Sequence, residues 1–161
     1  MRHVRIDPAE APCDERPAWP NGVRVRERMS RPAVVVGAHT TIGTALRLMA
    51  DRHIHYLPVV DEAHAVIGIV NADDLLGTGR PTPPHGAVVT TVMSAPAVTI
   101  TPGEAMDSAM RLMADRGVGA LPVVEGARVV GILTQSDVVT AVAHWNPGEP
   151  PPEGRGVARH V

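Results

Sequence analysis

The chain carries one segment twice, and this duplication limits its fold more than any other feature. Residues 29–60 read MSRPAVVVGAHTTIGTALRLMADRHIHYLPVV and residues 93–124 read MSAPAVTITPGEAMDSAMRLMADRGVGALPVV; at a constant offset of 64, sixteen of these 32 positions are identical. After Val60 and Val124 the first copy holds one extra residue, so VIGIVNADDLL (66–76) aligns with VVGILTQSDVV (129–139) at an offset of 63. Gly68 and Gly131, Ile69 and Ile132, and Asp74 and Asp137 then coincide. A unit this small cannot cover both faces of its own sheet, so two copies must bury apolar surface against each other.

The second copy can be read in order. Val98-Thr99-Ile100 is a short β-branched run that predicts a strand. Thr101-Pro102-Gly103-Glu104 predicts a helix start, with Thr as N-cap, Pro at the first helical position and Glu closing a capping box. Ala105, Ala109, Leu112 and Met113 share one helical face, and Gly117 suits a left-handed stop. Two apolar runs, 121–124 and 129–133, flank the turn-like Glu125-Gly126-Ala127 and read as a hairpin. A second helix is expected from Thr134 to about Trp145. The order is β-α-β-β-α, and the first copy repeats it with a weaker cap and a second helix cut short by Gly77. The expected fold class is therefore α/β (α+β), with two such units packed sheet against sheet about a pseudo-twofold axis and a cleft between them.

Composition narrows the function. Of 161 residues 44% are hydrophobic and 20% charged, as in soluble globular chains. There is no Phe, one Tyr (Tyr56) and two Trp (Trp19, Trp145), so the core must be aliphatic. Single-stranded nucleic-acid binding usually needs the aromatic platforms that this chain lacks. A net charge of −2 supplies no basic field for nucleic acid or an anionic membrane. No apolar run approaches the roughly 18 to 20 residues of a membrane span, and the opening residues lack a signal peptide's apolar stretch, so a cytoplasmic location is expected. Cys13 is the single cysteine and reads as a bystander. Proline and glycine punctuation divides the chain into a disordered tail (1–22), a first repeat domain (23–77), a Gly/Pro linker (78–87), a second repeat domain (88–145) and a Pro-rich disordered tail (146–161).

The series M-S-x-P-x-V, L-R-L-M-A-D-R, L-P-V-V and G-I-L-T-x-S-D-V-V resembles the cystathionine-β-synthase (CBS) domain, which occurs in tandem pairs called Bateman modules. That resemblance implies a regulatory module binding an adenosine-containing ligand (AMP, ADP, ATP or S-adenosylmethionine), often as a homodimer of paired modules, with no catalysis of its own. With no other domain attached, any output is expected to act on an effector protein in trans.

The chemistry of one segment points the same way. A Gly-apolar-x-Thr/Ser-x-x-Asp run puts a hydroxyl at a helix N-cap and a carboxylate one turn in, beside backbone N–H groups that attract anions. A carboxylate so placed can hold both hydroxyls of a ribose. The same spacing also caps a helix with no ligand at all. Gly131 to Asp137 match the family's ribose and phosphate motif fully, whereas in the first copy Asn71 replaces the usual Thr or Ser. By the family pattern each cleft draws on both copies. The better site is then expected to combine Ile132, Thr134, Ser136 and Asp137 with Val34, Ile54 and His55, and the weaker one Ile69, Asn71, Asp73 and Asp74 with Val98, Val118 and Gly119. His55 also stands where related modules carry a basic residue that contacts phosphate and could there serve the Asp74 site; its counterpart Gly119 cannot.

Other constellations carry less. His53 and His55 lie two apart, as a metal pair on an extended segment would, but two ligands are not a site and no metal is expected. No nucleophile motif or P-loop occurs, so catalytic residues are not expected. The alternative to ligand sensing is a structural or interaction module whose clefts bind nothing.

Overall fold

The computed structural model describes residues 22–78 and 81–143; residues 1–21, positions 79–80 of the linker, Trp145 and the expected C-terminal tail lie outside them. The helices are α1 (Val25–Arg28), α2 (Ile42–Arg52), α3 (Ala72–Leu76), α4 (Met106–Arg116) and α5 (Gln135–Ala143). The strands are β1 (Val36–Gly37), β2 (Tyr56–Val60), β3 (Val66–Asn71), β4 (Ala120–Glu125) and β5 (Arg128–Thr134). The β-α-β-β-α order appears in full in the first repeat, and as α-β-β-α in the second. β1 runs parallel to β2, which pairs antiparallel with β3, while β4 and β5 form the second hairpin. The strand expected at Val98–Ile100 shrinks to one parallel bridge, Ile100 to Val123. Its backbone bonds remain: Ile100 N donates to the Pro122 carbonyl at 3.1 Å and Val124 N to the Ile100 carbonyl at 2.8 Å.

The helix starts differ from the sequence reading. Thr101 and Glu104 do form a box, with Thr101 N and Oγ1 both donating to Glu104 Oε1 at 3.1 Å. That box closes a separate turn, and α4 begins only after Ala105, whose side chain cannot cap. The chain is held extended there because Met106 N donates to the Val23 carbonyl, and Val25 N to the Glu104 carbonyl. The first copy has the better cap after all: Thr41 Oγ1 accepts from Thr44 N at 3.3 Å. The linker also contributes, since Ile42 N and Gly43 N donate to the Ala87 and His85 carbonyls. Likewise α5 starts at Gln135, one residue after Thr134.

Helix ends follow the expected chemistry with one substitution. Gly117 stops α4 at φ +61 and Gly77 stops α3 at φ +70. His53 takes the matching left-handed position after α2, at φ +52. It is therefore no part of an extended His-x-His ligand pair. Among the described residues no three His, Cys, Asp or Glu side chains gather as metal ligands.

Two aliphatic cores form, and each borrows from the other repeat. The second repeat's core of Ile100, Met106, Ala109, Met113, Leu121, Val123 and Leu133 includes Val23 and Val25 from the start of the first. The first repeat's core in turn includes Val89. The exchange recurs at equivalent positions: Ser30 pairs with Ile132, and Ser94 with Ile69, each by two backbone hydrogen bonds of 2.9–3.0 Å. Gly131 and Gly68 permit it, because a Cβ on either would lie 2.6 Å from the sulfur of Met29 or Met93 respectively. The hairpin turns also touch, through Val66 N to the Ala127 carbonyl at 3.0 Å.

Candidate functional site

The motif of the second repeat spans the last residues of β5 and the first turn of α5. Thr134 N and Oγ1 donate to Asp137 Oδ2 at 2.8 and 2.7 Å, and Asp137 N donates back to Thr134 Oγ1 at 3.3 Å. This reciprocal box satisfies amides that a helix start otherwise leaves open. In the first repeat Asn71 Oδ1 accepts from Asp74 N at 2.7 Å, so Asn keeps the cap but not the reciprocal bonds to the carboxylate. Asp73 is exposed and meets only the Thr78 hydroxyl, at 3.5 Å.

Strand alternation shows what leads up to the motif. Gly131 and Leu133 are buried, whereas Ile132 and Thr134 are partly open and share the other face of β5; Val130 is the extra residue of a bulge opposite Val123 and Val124 and packs on the second core. From Ile132 to Thr134 that face runs about 7 Å, at roughly 3.4 Å per residue. Its far end opens into a groove of about 300 Å³ between the repeats, lined by Pro32, Ala33, Val35 and Val60 of the first and by Val129 and Val130 of the second, with His64 and Arg128 at its rim. Thr134 and Asp137 do not line the groove; Ile132, bridged to Ser30, lies between.

The remaining expected residues separate into two groups. Val34 and Ile54 pack on the first core, and Val98 and Val118 on the second. The His55 carbonyl accepts from Ala72 N at 2.9 Å and the Gly119 carbonyl from Gln135 N at 3.0 Å, so each backbone sits beside the helix start of its own repeat. A first-repeat side chain that reaches the loop beside α5 is that of Tyr56. A Cβ on Gly119 would overlap the Tyr56 hydroxyl and lie 3.0 Å from its Cζ, and Gln135 Oε1 is close by at 3.7 Å. Sequence reasoning missed this residue. The signal was a size exchange: His55-Tyr56 in one copy stand where Gly119-Ala120 stand in the other.

Two matched strand-to-helix turns, set in repeats that exchange their opening segments, define a paired repeat module and not a single-domain fold. The CBS domain model matches residues 25–79 and again residues 89–144, and the chain belongs to that family. A CBS domain-containing protein of Dictyostelium discoideum is 32% identical over 129 residues, which cover 73% of this chain and 89% of that protein. An uncharacterized protein of Methanocaldococcus jannaschii is 27% identical over 139 residues, 78% of this chain, and the chain spans only 33% of that relative's length. Among solved structures, CBSX2 in complex with AMP superposes with a TM-score of 0.66 at 27% identity, covering 76% of this chain and 97% of that one. The CBS domain pair of protein MJ0100, solved with 5′-methylthioadenosine and S-adenosyl-L-methionine, shares the fold at a TM-score of 0.67 and 24% identity, covering 75% and 96%. No helix among the described residues is long and apolar enough to cross a membrane.

Proposed function

We propose that this chain is a ligand-sensing module: an adenosine-containing ligand enters between the repeats, alters their relation, and so changes a partner protein in trans without chemistry on the ligand. The observation that carries this reading is the face of β5 that runs from apolar Ile132 to Thr134, with Asp137 one turn into α5 and the groove at Val129 and Val130 beyond it. This order suits a purine toward the groove end and a ribose at the carboxylate end. CBSX2, with AMP bound, supports the same ligand class. A ligand can shift the repeats only by the difference in its affinity for two arrangements. The corresponding face of β3, with Ile69, Asn71 and Asp74, supplies the second candidate site. A second copy of the chain is the proposed assembly partner, and the exposed Val139 and Val142 on α5 offer it an apolar face.

A thermal-shift series with AMP, ADP, ATP, S-adenosylmethionine and 5′-methylthioadenosine tests the proposal. At 100 times its Kd a ligand specific to the folded state adds about 2.7 kcal/mol, a readily measured rise in midpoint. Asp137→Asn should remove the shift while keeping an oxygen to cap α5. No shift with any of the five in the unaltered protein favours a module that only scaffolds.

A further inference from the structure

The groove where the two hairpin turns meet is lined by none of the residues expected at either adenosine site. Pro32, Val35 and Val60 wall it from the first repeat and Val129 and Val130 from the second, around a volume of about 300 Å³. Small-molecule sites typically span about 300–1,000 Å³, with apolar walls and a few polar groups that fix orientation. We propose that this groove is a separate binding site for a small monocarboxylate with an apolar body, which bridges the two repeats without touching Thr134 or Asp137. The inference goes beyond the ligand-sensing reading and does not depend on it.

The polar side chains at the rim, His64 and Arg128, come one from each repeat. Contact between the hairpins brings them together: Ala65 bridges to Arg128, and Val66 N donates to the Ala127 carbonyl at 3.0 Å. Neither side chain has a hydrogen-bond or ion-pair partner among the described residues. Glu125, opposite Arg128 in the hairpin register, does not pair with it, and Asp61 Oδ1 is taken by Ala63 N and Ala65 N, both at 2.9 Å. A free guanidinium takes a carboxylate by two parallel hydrogen bonds, and an imidazole offers an N–H in either protonation state. One arginine balances one negative charge, while Asp61, Glu62 and Glu125 on the same turns oppose a second, so the charge selects a monoanion. His64 is also held at φ +60, where the other hairpin uses Gly126 at φ +63, so the turn keeps a side chain at a position that glycine fills most easily. The counterparts of His64 and Arg128 in the opposite repeat are Ala127 and Ala65, and one such site per chain follows.

Methyl-resolved NMR of the full chain, titrated with 4-phenylbutyrate and with octanoate, reads the site directly. Both carboxylates should saturate at millimolar concentration or below and move the methyl resonances of Val35, Val60 and Val130, leaving those of Val139 and Val142 in place. The uncharged analogue 4-phenylbutanol, and inorganic phosphate, an anion without an apolar body, should each bind at least tenfold more weakly. Arg128→Gln should weaken the carboxylates tenfold or more, whereas Asp137→Asn should leave their affinity unchanged. His64→Gly, which suits the left-handed turn and so keeps the fold, should weaken them severalfold. No saturation by either carboxylate, equal binding of the alcohol or of phosphate, affinity unmoved by Arg128→Gln or by His64→Gly, or loss of binding in Asp137→Asn overturns the assignment.

Discussion

Arg28 shows what a duplicated position reveals about a single side chain. It lies at the end of α1, its Nε buried with no hydrogen-bond partner among the described residues. At the offset of 64 the second copy places Val92, which packs on the first core. The fold therefore accepts an apolar group here, and an unanswered N–H costs about 1–3 kcal/mol. Arg28→Leu should stabilise the protein by about 1–2 kcal/mol, raising the midpoint of calorimetric unfolding by about 2–8 °C. An unchanged or lower midpoint would show that the guanidinium is answered in solution. His53 illustrates the opposite case, a side chain kept at a left-handed position where the second copy has Gly117; the cost is about 1–2 kcal/mol.

At the scale of elements, the two long helices look alike in sequence but begin by different means. Thr41 caps α2 with its own side chain, so Thr41→Ala should cost about 1 kcal/mol in denaturant unfolding. Glu104→Ala, which the capping pattern alone ranks as equally damaging, should cost less than half of that, because Glu104 closes an exposed turn ahead of α4. Equal losses would restore Thr101 as the effective cap. Much was legible at this scale: the β-α-β-β-α order of the first repeat, the Gly126 hairpin, and the stops at Gly77 and Gly117 all follow from local spacing and backbone preference. The start of α4 was not, because it is decided by Val23 and Val25, some 80 residues away. The site was legible only in part for the same reason. Thr134 and Asp137 form a local motif, but the approach of Tyr56 to Gly119 is a long-range pairing that no periodicity encodes.

At the scale of the whole molecule, the contiguous repeats in the sequence are not the units that pack. Val23 and Val25 are fully or almost fully buried in the second repeat's core. Each buried valine contributes about 1.5–3 kcal/mol, so losing both removes about 3–6 of the roughly 5–15 kcal/mol typical of a whole domain. Deleting residues 1–30 should therefore loosen the second repeat more than the first, although the second keeps its entire sequence. Hydrogen exchange resolved to peptides would show it as faster exchange over 106–134 than over 42–71; equal protection would argue against the exchange. The reciprocal clasp also sets the meaning of the connection between the copies. Cut at residues 79–80, the halves would still hold each other's opening segments, so the chain is equivalent to a swapped dimer whose protomers have been joined end to end. Fusion makes their pairing independent of protein concentration, and the tether replaces diffusion with a fixed local concentration.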